Sequence, residues 1–194
     1  MIIGITGNTG VGKTEVSKFF KNWGATIISC DEIGWEVLKE SFVVEKIKSK
    51  FEGVTTEDGK INREKLASIV FKDKKKLQEL NKIVHPELLR RLKEAIEKER
   101  NKIIVVDAAL IFEWKIKDWF DFIILVISTT KNKYKRLLAQ GIEKGIIKGR
   151  LNSQLESRFL TKLSDFVIEN NGTLKELEKK AREVWNKILE KKKN

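Results

Sequence analysis

The sequence has very few of the residues that build metal or disulfide frameworks. Its 194 residues include one cysteine, one histidine, one proline and one methionine. A single cysteine, Cys30, excludes an intramolecular disulfide and every four-cysteine zinc module. No apolar run approaches the roughly 18 residues of a membrane span, the longest being Phe122–Ile127. Met1-Ile2-Ile3 lacks the basic segment of a signal peptide, so a cytoplasmic protein without membrane attachment is expected. Acidic charge is in deficit: 28 Asp+Glu stand against 40 Lys+Arg, a formal net charge of +12. Lysine outnumbers arginine 32 to 8 and is spread along the chain, apart from the Lys191-Lys192-Lys193 tail. Lysine spread over helix faces is chiefly solvation, and its positive field attracts phosphorylated small molecules. No nucleic-acid partner is expected.

What is present is a globular composition, 41% hydrophobic and 35% charged. At this length a single domain burying about 70% of its unfolded surface is expected. Ile2–Thr6, Ala25–Ser29, Ile103–Val106, Phe122–Ile127 and Phe166–Glu169 read as strands, most of them continuous apolar runs. Alternating with helical segments, they predict an α/β fold: a five-stranded parallel sheet flanked by helices. About seventy mostly helical residues, 32–101, separate the second and third strands, far more than the ~12 a crossover requires. They read as a helical insertion that holds a ligand, set in a core of 1–31, 102–135 and 164–194. The remainder, 136–163, contains the glycine-punctuated Gly141–Gly149 and reads as a lid. Asn62 and Asp73 occupy N-cap positions, and Thr173 with Glu176 forms a capping box. Pro86 is expected to start a helix carrying Leu88, Leu89, Leu92 and Ile96, and a further helix is expected from about Arg150 to Leu163.

Gly7-Asn8-Thr9-Gly10-Val11-Gly12-Lys13-Thr14 matches G-x-x-x-x-G-K-[ST] between a predicted strand and a predicted helix. Its glycines let successive N–H groups point at phosphate oxygens, and the helix adds its positive N-terminal end. Gly10, Val11, Gly12, Lys13, Thr14 and Glu15 are therefore candidate nucleotide-binding residues, with Lys13 reaching the β- and γ-phosphates and Thr14 Oγ1 reaching Mg²⁺. Asp31 follows the second strand, where it can accept a hydroxyl proton, orient the hydroxyl or hold Mg²⁺-bound water; the same position equally suits a helix N-cap. Asp107 ends the third strand like a Walker B acid, toward Mg²⁺ directly or through water. Arg136 precedes the glycine-rich stretch, able to close over a phosphate or to serve as a solvated helix charge. Arg63 and His85 lie in the insertion, and a lone histidine before proline is more commonly a cap or core residue. Cys30 reads as a small buried hydrophobe, and the five tryptophans as core or groove aromatics.

Together these residues resemble the dephospho-coenzyme A kinase family along essentially the whole chain. The resemblance rests on Thr6–Thr14, Asp31, Asp58-Gly59-Lys60-Ile61-Asn62-Arg63, Leu80–Pro86 and Val106–Glu113, then on Lys135-Arg136, Arg150 with Gln154, and Asp165–Gly172. It implies a P-loop, nucleoside-monophosphate-kinase-like fold that moves the ATP γ-phosphate to the ribose 3′-hydroxyl of dephospho-coenzyme A. Coenzyme A and ADP would result, the last step of coenzyme A biosynthesis. Carried onto this chain, Asp31 acts on the 3′-hydroxyl, Lys13 with Mg²⁺ neutralises the phosphates, and Arg136 bridges them. Arg63 and His85 fall on the acceptor side, and Thr14 and Asp107 toward the metal. The partners implied are ATP and dephospho-coenzyme A, and a monomer is expected. Three positions depart from the pattern: Ala109 replaces a usual proline, Asn8 a frequent glycine, and Gln140 a second lid arginine. Other readings are a nucleoside or nucleoside-monophosphate kinase, a GTPase from Asp31-Glu32-Ile33-Gly34, and a nucleic-acid-binding ATPase favoured only by net charge.

Overall fold

The apolar runs pair edge to edge because they have no polar face to turn outward. The computed structural model describes residues 1–152 and 157–193. In it β1 (Ile2–Thr6), β2 (Thr26–Ser29), β3 (Ile104–Asp107), β4 (Phe122–Ile127) and β5 (Phe166–Glu169) form one sheet, β2-β3-β1-β4-β5, with every pair parallel. Strands buried on both faces need helices on both. On one face α1 (Lys13–Asn22) and α9 (Leu174–Lys193) bring Phe20, Leu177, Ala181 and Trp185 against Ile3, Ile5, Val105 and Ile124. On the other, Leu92 and Ile96 of α5 (Lys74–Lys98) pack with Ile28, Ile104, Val106 and Ile123. Asp107 is in register with Ile5 on one side and Ser29 on the other. The carboxyl ends of β1, β2 and β3 therefore finish level, and the loops after them meet at the edge where ligands of open α/β sheets bind.

Between β2 and β3 run α2 (Cys30–Val37), α3 (Ser41–Lys48), α4 (Arg63–Val70) and α5. They share a cluster of their own, built on Val37, Val43, Ile47, Phe51, Leu66, Val70 and Leu88. The caps form as expected: Asn62 Oδ1 accepts from Lys65 N at 3.0 Å and Asp73 Oδ1 from Lys75 N at 2.8 Å. Pro86 does not start a helix. It lies inside α5, which is continuous over 25 residues. An interior proline costs a helix about 3 kcal/mol, and here Leu88, Leu92 and Ile96 downstream hold α5 together by packing into two clusters.

The glycine-punctuated stretch is likewise more helical than its composition suggests. Gly141, at φ 77°, follows α6 (Thr130–Ala139), but Gly145 and Gly149 lie within α7 (Lys144–Asn152), which is anchored by the fully buried Ile147. The helix expected from Arg150 to Leu163 is divided: Arg150 belongs to α7, and Ser157–Leu163 is α8. Gln154 lies outside the described residues. The capping box opens α9, with Thr173 N donating to Glu176 Oε2 at 2.7 Å and Glu176 N to Thr173 Oγ1 at 3.3 Å. No described helix is long and apolar enough to cross a membrane.

Candidate active site

The loop from β1 to α1 depends on two glycines. Gly7 has φ 140°, and a Cβ there would lie 2.2 Å from the Val126 carbonyl oxygen. Gly12 has φ 95°, and its Cβ would lie 2.4 Å from Asn170 Nδ2. Asn8 has no such demand, since Lys115 alone among the described non-glycine residues has positive φ. No side chain caps α1, so its first N–H groups face the hollow of the loop, where an anion would satisfy them. Lys13 folds over the same hollow, its Nζ donating to the Gly7 carbonyl at 3.0 Å.

Thr14 Oγ1 donates to Asp107 Oδ2 at 3.3 Å, and Ser17 Oγ, one turn on, donates to the same oxygen at 3.4 Å. Sequence reasoning missed Ser17, although its i+3 spacing from Thr14 puts both hydroxyls on one helix face. Burial raises the Asp107 pKa; nearby Lys13 lowers it, Asp31 raises it, and the two hydroxyl hydrogen bonds lower it. A hydroxyl beside a carboxylate is a hard oxygen donor set and fits Mg²⁺, which keeps several waters and takes phosphate oxygens. Among the described residues no group of three or more His, Cys, Asp or Glu side chains could hold a metal unaided. A cation here would take most of its oxygens from a nucleotide.

Asp31 lies in the first turn of α2 but does not cap it: Ser29 Oγ accepts the Glu32 N–H at 3.2 Å. The capping alternative therefore passes to Ser29. Asp31 is exposed and lines a cavity of about 250 Å³ with Trp35, Asn81, His85, Leu110 and Trp114. Asp31 and His85 thus share one cavity, whereas Arg63 is not part of its lining; the Arg63 guanidinium stands over the Trp35 ring at 5.1 Å. Trp114 Nε1 donates to His85 Nδ1 at 3.0 Å, and burial lowers the His85 pKa to about 4. Cys30 is buried and its thiol pKa is pushed up, first by burial and then by Asp31 and Asp107, which leaves it an uncharged core residue. Trp23 and Trp185 pack with Phe20, whereas Trp35 and Trp114 line the cavity. A wider groove of about 630 Å³ between α2 and α5 contains none of the expected site residues, and charged side chains such as Glu36, Arg90, Arg91 and Glu94 make up much of its lining.

Arg136 is not a solvated arm. Its Nη1 donates to the Gly10 and Val11 carbonyls at 3.2 and 3.3 Å and to Ser128 Oγ at 3.1 Å, and its Nη2 donates to the Asn170 carbonyl at 2.9 Å. Asn170, buried and without a role in the sequence reading, donates Nδ2 to the Val11 carbonyl at 2.8 Å. Because C=O and N–H of a trans peptide point in opposite directions, pulling the Val11 carbonyl outward turns the Gly12 N–H into the loop. Arg150, matched by the sequence but given no task, stands over the Phe71 ring at 4.8 Å. Burial lowers its pKa, and the charge of Asp31 raises it. Asp31 through Gly34, the segment that suggested a GTPase switch, is helical within α2.

The dephospho-CoA kinase family model matches residues 1–176. A dephospho-CoA kinase of Fusobacterium nucleatum is 37% identical over 183 residues, spanning 93% of this chain and 95% of its own. A crystal structure from Thermus thermophilus is similar with a TM-score of 0.78 at 28% identity, covering 96% and 97% of the two chains. A shikimate kinase from Acinetobacter baumannii, in complex with shikimate, reaches a TM-score of 0.56 at 13% identity over 98% and 94%, a likeness of fold alone.

Proposed function

The chain belongs to the dephospho-CoA kinase family, and from that membership we propose how its residues divide the reaction. The activity is phosphoryl transfer from ATP to the ribose 3′-hydroxyl of dephospho-coenzyme A, giving coenzyme A and ADP, the last step of coenzyme A biosynthesis. A nucleoside or nucleoside-monophosphate kinase, a GTPase and a nucleic-acid-binding ATPase are not favoured.

The observation that carries the assignment is the cavity beside Asp31, opening at the sheet edge where Lys13, Thr14 and Asp107 converge. ATP phosphates occupy the hollow lined by Gly10, Val11, Gly12, Lys13, Thr14 and Glu15, with Lys13 between the β- and γ-oxygens. Thr14 Oγ1 and Asp107, the latter directly or through water, would hold Mg²⁺, which supplies positive charge to those oxygens when bound. Asp31 accepts a hydrogen bond from the 3′-hydroxyl and aims its oxygen at the γ-phosphorus. It takes the proton as the new P–O bond forms and the bond to the ADP oxygen breaks. Arg136 adds charge beside the phosphate chain and, with Asn170, keeps the loop's N–H groups turned inward. Arg150 brings a cation toward Asp31 from the lid side. Arg63 and His85 hold the acceptor, the guanidinium suiting its diphosphate.

A panel of dephospho-coenzyme A, adenosine, AMP and single-stranded DNA, followed by ADP release, tests this. We expect kcat/KM to be highest for dephospho-coenzyme A; equal or better turnover of AMP would move the enzyme to the nucleoside-monophosphate kinases. Both substrates are small and soluble, and the proposed setting is a cytoplasmic monomer without nucleic-acid or membrane partners. Light scattering of the purified protein checks its mass.

A further inference from the structure

On the reading of His85 as an acceptor-side residue, we propose that Trp114 is its positioning residue. By donating its indole N–H to Nδ1, Trp114 holds the imidazole as the Nε2–H tautomer, so that His85 meets dephospho-coenzyme A as a hydrogen-bond donor. Trp114 lies just beyond the Val106–Glu113 stretch on which the family resemblance rests, so this role comes from the geometry alone.

An indole nitrogen can only donate, whereas a neutral imidazole carries one donor and one acceptor nitrogen. With Nε1 and Nδ1 at 3.0 Å, the lone pair must be on Nδ1 and the single proton on Nε2. The rings meet edge to face, 5.3 Å between centroids and 78° between planes, which fixes the direction as well as the tautomer. The partners come from different parts of the fold. His85 sits on α5 one turn before the buried Leu88, and Trp114 in the loop after β3, where its backbone N–H donates to the Leu110 carbonyl at 2.9 Å. A protonated ring would set two N–H groups head to head, so the same contact keeps His85 uncharged. Asp31 and His85 then line one cavity with opposite hydrogen-bonding characters, the carboxylate accepting and the imidazole donating. Such a pair suits a sugar phosphate, whose hydroxyls donate and whose oxygens accept. It also removes His85 as a rival base to Asp31, since its free lone pair is occupied.

The chain has one histidine, so a long-range ¹H–¹⁵N correlation spectrum of the labelled full chain reads this tautomer without ambiguity. We expect a protonated Nε2 and an unprotonated Nδ1 near neutral pH. Trp114→Phe keeps the ring and loses the donor; it should mix the tautomers and raise KM for dephospho-coenzyme A about 3–10-fold, the scale of one neutral hydrogen bond. KM for ATP should move by less than about 2-fold, as a change confined to acceptor binding requires. His85→Gln, whose amide nitrogen falls near Nε2, should hold the acceptor better than His85→Asn, whose amide falls near Nδ1. A proton on Nδ1 in the wild type, or a Trp114→Phe variant with unchanged tautomer and KM, would overturn the proposal. A shifted tautomer with unmoved KM would overturn the contact with substrate. Preference of the wild type for AMP would sink the functional assignment instead, and the spectrum tells these failures apart.

Discussion

Asp31 carries its charge in the first turn of α2 while Ser29 does the capping. Removing the charge should therefore touch chemistry far more than folding. Asp31→Asn is expected to lower kcat about 10²–10⁴-fold, the range for a positioned acid or base. An exposed first-turn carboxylate contributes only about 0.3–1 kcal/mol, so the melting temperature should barely move. A kcat near wild type in the ADP-release assay would take Asp31 out of the reaction. Arg136 behaves in the opposite way because its guanidinium is already occupied by the Gly10, Val11 and Asn170 carbonyls and the Ser128 hydroxyl. Arg136→Ala should cost about 2 kcal/mol, or about 4–8 °C in a chain of this length. Arg136→Lys should rescue little of it, since one ammonium cannot span four acceptors. Thermal melts decide this: an unchanged Tm in both variants would mean that Arg136 is a free arm, acting on phosphate alone.

At the scale of elements, the contact between α7 and the end of α4 is the most sensitive. A Cβ on Gly149 would lie 2.2 Å from the Phe71 carbonyl oxygen, and Phe71 is the ring on which Arg150 rests. Alanine favours a helix interior over glycine by about 1 kcal/mol, so Gly149→Ala should preserve or raise helicity by circular dichroism. It should nevertheless push α7 off Phe71, displace Arg150 and reduce kcat/KM for dephospho-coenzyme A. Undiminished kcat/KM would show that this contact is dispensable. The sequence could not reveal it, because glycine recurring every four residues, at 141, 145 and 149, reads as a hinge until its partner is known. Pro86 misled for a related reason: its steric penalty is local, while the burial of Leu88, Leu92 and Ile96 that outweighs it is tertiary. The caps at Asn62, Asp73 and Thr173 were legible because cap and recipient lie two or three residues apart.

For the molecule as a whole, a net charge of +12 meets two highly anionic substrates. Their capture should weaken with ionic strength, and kcat/KM for both should fall several-fold between about 0.02 and 0.2 M salt while kcat changes little. Salt-independent capture would mean that the spread lysines serve solvation alone. Stability should also depend on pH through the one histidine. Burial holds His85 near 4 in the native state against about 6.5 in an unfolded chain, so between these values the unfolded chain binds a proton that the native ring refuses. The stability gained by keeping the ring neutral is fully present above about pH 6.5 and is lost as pH falls toward 4. Melting curves of His85→Gln should therefore be flatter than wild type across this window; parallel curves would mean that the ring titrates alike in both states.

The sequence by itself determined the parallel sheet, the phosphate loop with Lys13 and Thr14, the caps, and the acids that follow β2 and end β3. Each of these follows from contiguous residues: a run too apolar to face water, a glycine at a backbone angle other residues avoid, a side chain reaching its own helix start. Tertiary structure alone decided which side chains face one another. Arg136 finds acceptors at positions 10, 11, 128 and 170, and Trp114 meets a histidine 29 positions away. Local spacing cannot encode such partners, because it fixes the face a side chain leaves from and not the distant strand or helix that packing brings against it.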